Sequence, residues 1–374
     1  MTTPKLRIPV REDLAGLEPY GAPQLDVPVR LNVNENPYAP SQAVIDDIAS
    51  SVAQAAATLN RYPDRDFPAL RASLSAYLKA ESGVDIDPKN IWAANGSNEV
   101  MTQILQAFGG PGRTVVSFAP TYSMYHEYAR DTNTRWVQGA RRDDFSLDLD
   151  EVARTLDAES PAVLILASPN NPTGTALPVD AQRQILAMTR QSGPVIDGVK
   201  TATLVVIDEA YGEFRREGVP SALEMLGDHP HLVVSRTMSK AFGMAGLRLG
   251  YMAAARPIID AIMLVRLPYH LSAVSQATAL AALRHREELM AQVASLRVER
   301  DQLVDWLRAQ GLQALDSDAN FVLFGQFEDR DRIFRDLLDR GVLIRVVGPQ
   351  GWLRVSVGTP EETQMFKNAL KEII

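Results

Sequence analysis

Short runs of hydrophobic, β-branched residues recur between about residues 110 and 240. Each run is apolar at consecutive rather than alternate positions, which is typical of strands buried on both faces of a parallel sheet. Segments of helical periodicity lie between and before them, such as Ser97–Phe108, whose apolar residues share one face. The pattern predicts strands at Thr114–Ala119, Ala162–Ser168, Thr203–Glu209 and His231–Arg236. It therefore indicates an α/β fold, with a mostly parallel sheet sandwiched by helices.

The pattern changes after about residue 257. A long helical stretch is expected from about Leu280 to Gln310, followed by short strands at Asn320–Gly325 and Trp352–Gly358 with helices between them. This mixture is typical of a smaller α+β domain. The start of the chain is rich in proline and glycine and is expected to form an extended arm. We expect an N-terminal arm at 1–29, a large domain at 45–270, and a small domain made of 30–44 and 271–374.

Composition narrows the class of protein. The chain has 374 residues, of which 46% are hydrophobic and 22% charged, as in ordinary globular proteins. Its net charge of −8 argues against nucleic acid as a partner. The lack of cysteine excludes disulfides, thiolate metal sites and cysteine nucleophiles. No apolar run is long enough to span a membrane, and the first residues lack the apolar core of a secretory signal, so we expect a cytoplasmic protein. The five histidines are scattered, and no metal site is expected.

Side chains that could take part in catalysis or binding follow the predicted strands. Lys240 comes shortly after the strand at 231–236, and Arg248 lies eight positions further on. Asp208 ends the strand at 203–209, with Tyr211 three positions later. Taken singly, Lys240 could be a surface lysine and Asp208 a turn residue or a helix cap. Because the carboxyl ends of parallel strands line one crevice, we expect these side chains to lie close together.

Two further segments belong to the same crevice. The turn "SPNNPTG" follows the strand at 162–168 and contains Asn171. Gly96, Ser97 and Asn98 begin the predicted helix, where unpaired backbone N–H groups favour an anion. Together the segments supply an amine, a carboxylate, a phenol, an amide, an arginine and a phosphate-binding turn. Pyridoxal 5'-phosphate (PLP) needs that set, because its aldehyde condenses with a lysine and its ring nitrogen is kept protonated by a carboxylate.

Longer stretches carry a resemblance to a known family. "SRTMSKAFGMAGLRLGY", "DEAYGEF", "SPNNPTG" and "APTYSMY" resemble motifs of the class I/II aminotransferases, the fold-type I PLP-dependent transferases. "RLNVNENPYAPS", "LNRYPD", "LVRLPYHLS" and "LRVSVGTPEE" resemble, in order and spacing, the histidinol-phosphate aminotransferases within that family. The resemblance covers about residues 10–374. It implies a PLP-dependent enzyme of histidine biosynthesis that moves an amino group reversibly between L-histidinol phosphate and 2-oxoglutarate, giving imidazole-acetol phosphate and glutamate.

The resemblance also implies roles for individual residues at the cofactor. Lys240 would bind the cofactor aldehyde and, once released, move a proton as base and acid. Asp208 would pair with the ring nitrogen, Tyr211 and Asn171 would hydrogen-bond the ring oxygen, and Tyr122 would stack on the ring. The remaining cofactor-binding residues would hold its phosphate: Ser97, Asn98, Thr237, Ser239, Arg248 and Tyr62. Since Tyr62 would reach this phosphate from a partner subunit, the resemblance implies a homodimer with shared active sites.

The substrate end of the site is implied in the same way. Both substrates carry an anionic group, a phosphate ester in one and a carboxylate in the other, so one pocket must accept both. Arg354 matches the anion-binding arginine of the family, and Arg345 is expected to be a second contact. Tyr20 and Tyr269 would line the substrate end, with Tyr20 reaching it from the partner subunit. Asn34, beside Glu35 in the "NENPY" segment, is also expected near this pocket.

Three other readings stay open at this point. The same machinery could serve an aromatic amino acid, such as phenylalanine or tyrosine, because that substrate also presents a flat ring and an anion. A PLP-dependent decarboxylase of a phosphorylated amino acid would use a similar scaffold. A non-catalytic PLP-binding domain of a transcription regulator would need a DNA-binding helix pair, and residues 1–40 offer none.

Overall fold

The computed structural model describes residues 8–374, so the first seven residues of the expected arm lie outside it. Within the described residues the strands are β1 Val29–Arg30, β2 Ile91–Ala94, β3 Thr114–Ala119, β4 Arg135–Ala140, β5 Val163–Ala167, β6 Val195–Ile196, β7 Val199–Lys200, β8 Leu204–Asp208, β9 Leu232–Thr237, β10 Gly250–Ala254, β11 Gln313–Ala314, β12 Phe321–Gly325, β13 Val342–Leu343 and β14 Trp352–Ser356. The helices are α1 Gln42–Ala56, α2 Pro68–Ser82, α3 Gly96–Phe108, α4 Met124–Asp131, α5 Leu149–Glu159, α6 Val179–Met188, α7 Arg256–Val265, α8 Ala273–Arg284, α9 Arg286–Ala309, α10 Arg330–Asp339 and α11 Pro360–Lys371.

The largest sheet has the strand order β2-β10-β9-β8-β5-β3-β4. Strands β4, β3, β5, β8 and β9 pair in parallel, whereas β10 runs antiparallel to both of its neighbours. Every residue of β5, β8 and β9 is buried, as the uninterrupted apolar runs require. The predicted α/β class is therefore confirmed, and so are the four strands predicted in this region: β3 has the predicted ends, whereas the ends of β5, β8 and β9 differ by one residue.

A second, smaller sheet has the order β11-β12-β14, and β1 pairs in parallel with β13. Side chains from these strands form a hydrophobic cluster separate from that of the large sheet. Val29 and Leu31 belong to this second cluster, so the chain joins the smaller unit immediately after the arm. The boundaries of the two domains stay a prediction.

The long helix expected from Leu280 to Gln310 is interrupted. α8 ends at Arg284 and α9 begins at Arg286, and His285 between them leaves the helical conformation with φ −98° and ψ 18°. The His285 ring contacts the Asp47 carboxylate of α1 at 3.0 Å. Along α9, Leu289 and Leu296 pack on the large cluster, and Leu303 and Leu307 pack on the small one. The helix thereby connects the two cores. None of the helices formed by residues 8–374 is both long enough and apolar enough to cross a membrane.

Candidate active site

A cavity of about 550 Å³ opens at the carboxyl ends of β3, β5, β8 and β9 and at the N-terminus of α3. This is the crevice that the strand-end pattern predicts for a parallel sheet. The cavity wall includes most of the residues singled out from the sequence, namely Tyr20, Asn34, Ser97, Asn98, Tyr122, Asn171, Asp208, Tyr211, Thr237, Ser239, Lys240, Arg248, Arg345 and Arg354. Side chains that are up to 334 positions apart along the sequence therefore share one site.

Lys240 lies in the loop after β9, and its Nζ donates a 2.9 Å hydrogen bond to the backbone carbonyl of Val33. Burial lowers the pKa of Lys240 to about 8, and the positive charges of Arg354 and Arg248 act in the same direction. An exposed lysine has a pKa near ~10.4. At a pKa of about 8, roughly a tenth of this amine is unprotonated at pH 7, against less than about a thousandth at a pKa of ~10.4, and the unprotonated form is the one that a nucleophile or a general base needs.

Asp208 is the last residue of β8 and is 6% exposed. Its two oxygens accept hydrogen bonds from hydroxyl groups, Oδ2 from Tyr125 at 2.8 Å and Oδ1 from Ser235 at 2.8 Å. Burial raises the pKa of Asp208, although both hydroxyl bonds act in the opposite direction. Among residues 8–374 no cation forms an ion pair with this carboxylate. Asp208 is therefore ready to stabilise a positively charged N–H group that enters the cavity.

The corner at the N-terminus of α3 combines backbone N–H groups, two hydroxyls and Arg248. Arg248 Nη1 donates to Ser239 Oγ at 3.2 Å, and Thr237 Oγ1 donates to the same oxygen at 3.0 Å. A Cβ atom on Gly96 would stand 2.8 Å from the Arg248 guanidinium, and one on Gly250 would clash with the Ser97 backbone nitrogen. Because both positions are glycine, the N-terminus of α3, the start of β10 and the Arg248 guanidinium can approach one another closely. Backbone N–H groups, hydroxyls and a guanidinium brought together in this way can bind a phosphate group.

Arg354 lies on β14 of the smaller sheet and is 5% exposed. Its guanidinium donates to Asn171 Oδ1 at 2.6 Å and to the Asn32 carbonyl at 2.8 Å, while its Nε has no partner. Burial lowers the pKa of Arg354 to about 10, and the nearby charge of Arg345 adds to this effect. No carboxylate in the described chain pairs with it. A buried guanidinium without an acid partner is a site for an anionic ligand.

Asn171 connects the arginine to the rest of the cavity. Because a guanidinium has no acceptor atom, Asn171 must turn its Oδ1 toward Arg354, and its Nδ2 is left as a donor. Tyr211 and Tyr122 line the same cavity. Burial raises the pKa of both phenols, so each keeps its proton at neutral pH. The site thus offers amide and phenol donors beside the amine of Lys240.

The structure places Tyr20 in the cavity of its own chain. The expectation that Tyr20 reaches the site of a partner subunit stays a prediction, since it concerns a second subunit. The N-terminal segment runs along this chain's own α4. Tyr20 Oη contacts Ser123 Oγ at 3.1 Å, and Arg11 donates to the carbonyl of Arg130 at the end of α4.

Tyr62 and Tyr269 lie outside the cavity formed by their own chain. Tyr62 is 79% exposed, and its ring stacks on that of Tyr269 with centroids 4.4 Å apart. Leu59, Leu264 and Leu267 are exposed in the same two segments. The roles predicted for the two tyrosines stay predictions, since they require a second subunit.

The sequence reasoning missed several groups that the structure places in the site. Tyr125 and Ser235 hold Asp208, and the Val33 carbonyl holds Lys240. Tyr125 follows Tyr122 by three positions at the start of α4, and the centroids of their rings are 5.5 Å apart. A backbone carbonyl carries no signal in residue type. The cavity mouth is also lined by the side chains of His126, Trp136 and Gln138.

The fold and this site define the class of the protein. The family model "Aminotransferase class I and II" matches residues 27–370, and the chain belongs to this family. It is therefore an aminotransferase.

Similar proteins indicate which kind of aminotransferase this chain resembles. The chain is 54% identical to a histidinol-phosphate aminotransferase of Bifidobacterium longum (strain NCC 2705), over 100% of this chain and 98% of that protein. It is 56% identical to a histidinol-phosphate aminotransferase of Thermobifida fusca (strain YX), over 97% of this chain and 95% of that one. Both relatives thus match the arm and the smaller unit as well as the large sheet.

Solved structures support the same fold. The histidinol-phosphate aminotransferase of Sinorhizobium meliloti in complex with pyridoxal-5'-phosphate superposes with a TM-score of 0.77 and 27% identity, over 92% of this chain and 90% of that one. An aspartate aminotransferase from Thermus thermophilus with maleate gives a TM-score of 0.76 and 25% identity, over the same fractions. The fold-type I architecture expected from the sequence is therefore confirmed.

Proposed function

We propose that this chain is a PLP-dependent histidinol-phosphate aminotransferase, which moves an amino group reversibly between L-histidinol phosphate and 2-oxoglutarate. The main support is the position of Arg354, which lies in the same cavity as Lys240 and Asp208. Its guanidinium is buried and pairs with no carboxylate in the described chain. It provides an anion-binding group at a site that also holds an amine and a carboxylate. The high identity to histidinol-phosphate aminotransferases over nearly the whole chain supports this choice of substrate.

The residues of the cavity fit PLP. Asp208 is a buried carboxylate held by two hydroxyls and lacking a cation, as a protonated ring nitrogen requires. Ser97, Asn98, Thr237, Ser239 and Arg248 would hold the phosphate, in the corner that glycine at 96 and 250 keeps free of side-chain atoms. Tyr122 would cover the ring, and Lys240 would bind the aldehyde. When bound, PLP supplies an electron sink that stabilises the negative charge left when the Cα–H bond of an amine substrate breaks.

The chain's own groups then account for binding and proton movement. Asp208 would hold the positive charge on the ring nitrogen, and its low exposure would keep water from competing for that bond. Lys240 Nζ, with its pKa near 8, would accept the proton that leaves the substrate Cα and hold it for return. Asn171 Nδ2 and the Tyr211 hydroxyl remain as donors for the ring oxygen.

One anion pocket serves both substrates in this proposal. Arg354 would bind the phosphate of L-histidinol phosphate in one half-reaction and a carboxylate of glutamate in the other. Arg345 lies next to it, because the two residues form a backbone bridge with N···O distances of 2.9 and 3.0 Å. Two adjacent guanidinium groups suit a phosphate that carries up to two negative charges.

Substrate comparison tests the proposal. The purified holoenzyme is assayed with 2-oxoglutarate as acceptor and either L-histidinol phosphate or L-phenylalanine as donor. We expect kcat/KM to be at least about 100-fold higher for L-histidinol phosphate, since Arg354 and Arg345 together would bind a phosphate with up to two charges more strongly than the single carboxylate of phenylalanine. An equal or higher value for phenylalanine would establish the aromatic aminotransferase instead. Release of CO₂ from a phosphorylated amino acid without an acceptor would point to the decarboxylase.

We further propose that the enzyme is a homodimer in which Tyr62 completes the site of the neighbouring subunit. The support is an exposed apolar patch formed by Leu59, Tyr62, Leu264, Leu267 and Tyr269. Its two segments are held together by a 3.0 Å contact between Arg266 and Asp66 and by the stacked tyrosine rings. Large apolar side chains grouped on a surface in this way are typical of a protein interface.

A further inference from the structure

Asn34 lies in the segment that crosses from the smaller unit to Lys240. It is 2% exposed, and its φ of +56° places the residue in the left-handed region that asparagine tolerates better than most residues. The two carbonyls that precede it are engaged at the site, that of Asn32 with Arg354 and that of Val33 with Lys240. The segment thereby fixes the Asn34 side chain between the anion site and the lysine.

Both ends of the Asn34 side-chain amide have a partner in the protein. Ser356 Oγ accepts the backbone N–H of Asn34 at 2.9 Å and donates its own proton to Asn34 Oδ1 at 3.0 Å. This bond orients the amide so that Nδ2 faces the Tyr211 hydroxyl, to which it donates at 2.9 Å. The amide is therefore held in the orientation in which it donates to the phenol.

The direction of the hydrogen bond to Tyr211 matters. A phenol has one proton, and an N–H group donating to its oxygen leaves that proton for another acceptor. We propose that Asn34 is a positioning residue, which directs the proton of Tyr211 into the cavity toward the ring oxygen of the cofactor. The inference rests on the proposed function, since it concerns the PLP site.

The groups around Tyr211 support the proposal that Asn34 orients its hydroxyl proton. The charged groups that face the phenol are Arg354 from β14, Asp208 from β8 and Lys240, whose Nζ lies 6.0 Å from the ring centroid. Tyr20 and Tyr122 are neighbouring titratable phenols. Burial raises the pKa of Tyr211, which keeps the phenol a donor at neutral pH. In the described chain, Asn34 is the group that hydrogen-bonds the Tyr211 oxygen.

Asn34→Asp tests the proposal with little change of shape. A carboxylate can only accept, so it draws the Tyr211 proton away from the cavity. A hydrogen bond donated by the Tyr211 hydroxyl would stabilise a negative charge on the cofactor ring oxygen. Loss of this bond would raise the pKa of the proton loss that leaves the negative charge on this oxygen. We expect the pH midpoint of the holoenzyme's visible absorption band to rise by about one unit in Asn34→Asp. A fall in kcat with less than a twofold change in KM for L-histidinol phosphate is also expected.

A double-mutant cycle shows whether Asn34 acts through Tyr211. In the Tyr211→Phe background, Asn34→Asp is expected to move the midpoint by less than about 0.3 unit. An equal shift in both backgrounds, or no shift in either, would overturn the proposal. A raised KM with an unchanged midpoint would also overturn it, because it would make Asn34 a substrate contact. If the parent enzyme itself shows no visible band with PLP, the proposed function fails, which is a different result.

Two further variants separate charge and folding from the hydrogen bond. Asn36→Asp places the same carboxylate in the same segment, at a residue whose Nδ2 contacts the Ala241 carbonyl at 3.3 Å. We expect it to leave the midpoint within about 0.3 unit of the parent. A shift in Asn36→Asp as large as that in Asn34→Asp would show that the added charge causes the effect, and would overturn the proposal. Ser356→Ala, which releases the Asn34 amide without adding charge, is expected to raise the midpoint by a smaller amount, and an unchanged midpoint in this folded variant would count against the proposal.

Discussion

Tyr125 Oη donates a 2.8 Å hydrogen bond to Asp208 Oδ2, and both residues are buried in the wall of the cavity. The bond holds the carboxylate at the end of β8 from the side of α4, while Ser235 holds it from β9. A carboxylate fixed by two donors keeps its orientation toward the cavity.

We therefore expect Tyr125→Phe to lower kcat by about tenfold and to weaken PLP binding, because a hydrogen bond to a charged group is worth about 1.5–3 kcal/mol. The phenylalanine ring keeps the packing. Steady-state kinetics and a PLP titration followed by absorbance measure both effects. Tyr128→Phe is the matched control, since it removes a hydroxyl from the same helix that does not bond Asp208, and its kinetics should match the parent.

Protonation of the Lys240 amine should make the rate of PLP attachment depend on pH. Because burial and two arginines lower its pKa to about 8, the amine is mainly protonated below this pH and mainly neutral above it. The rate at which PLP reacts with the cofactor-free enzyme should rise with pH and level off above about 8. Stopped-flow absorbance across pH 6 to about 11 measures the profile. A rate that keeps rising to about pH 10.4 would show that the site does not perturb the lysine.

Arg354→Ala should impair both half-reactions. The guanidinium provides charge-assisted bonds to the anion of either substrate, so kcat/KM should fall by about 100-fold or more for L-histidinol phosphate and for glutamate. Single-turnover measurements follow each half-reaction separately. Arg332→Ala removes an arginine that pairs with Asp336 on the surface of α10 and should leave both values unchanged. If the histidinol phosphate half-reaction alone suffers, the shared anion pocket is wrong.

The glycine at the start of α3 offers a test of the phosphate corner. Gly96→Ala places a Cβ 2.8 Å from the Arg248 guanidinium and also puts alanine at a φ of +82°. We expect the dissociation constant for PLP to rise by about tenfold or more, since the arginine must move. Gly110→Ala is the control, because its φ is +98° but its Cβ meets no atom within 4 Å. It should lower the melting temperature without changing PLP affinity.

Mixed subunits test the proposed dimer. Lys240→Ala removes the amine of one subunit's own site, and Tyr62→Ala removes the group proposed to reach the neighbour's site. A hybrid dimer carrying one subunit of each kind contains one site with both residues intact. Unfolding and refolding the two inactive variants together should therefore restore activity. No restoration in mixtures that form hybrid dimers would place Tyr62 in its own subunit's site or outside any site.

The sequence was sufficient for the parts of the fold that depend on local pattern. Strands β3, β5, β8 and β9 follow from consecutive apolar positions, and their carboxyl ends place Asp208 and Lys240 in one crevice. The break at His285 was not predictable, because the helical periodicity continues across it and the cause is a contact with Asp47 on another helix.

The supporting contacts of the site were equally hidden. The carbonyls of Asn32 and Val33 bind Arg354 and Lys240, yet a backbone carbonyl is present at every position. Asn34 was expected near the substrate pocket, but the contacts of its amide with Ser356 and Tyr211 were not predicted. Such contacts depend on how distant segments meet. The contact of Tyr20 with Ser123 was not predicted for the same reason, since the path of an arm is not encoded in its local pattern.

The central claim is that the amine of Lys240 binds PLP opposite Asp208. Borohydride reduction of the holoenzyme, followed by proteolysis and mass spectrometry of the peptides, tests it most directly. We expect the reduced cofactor on the peptide that contains Lys240 and on no other lysine peptide. A cofactor found on Lys79, Lys89, Lys200 or Lys367, or no covalent cofactor after reduction, would contradict the account.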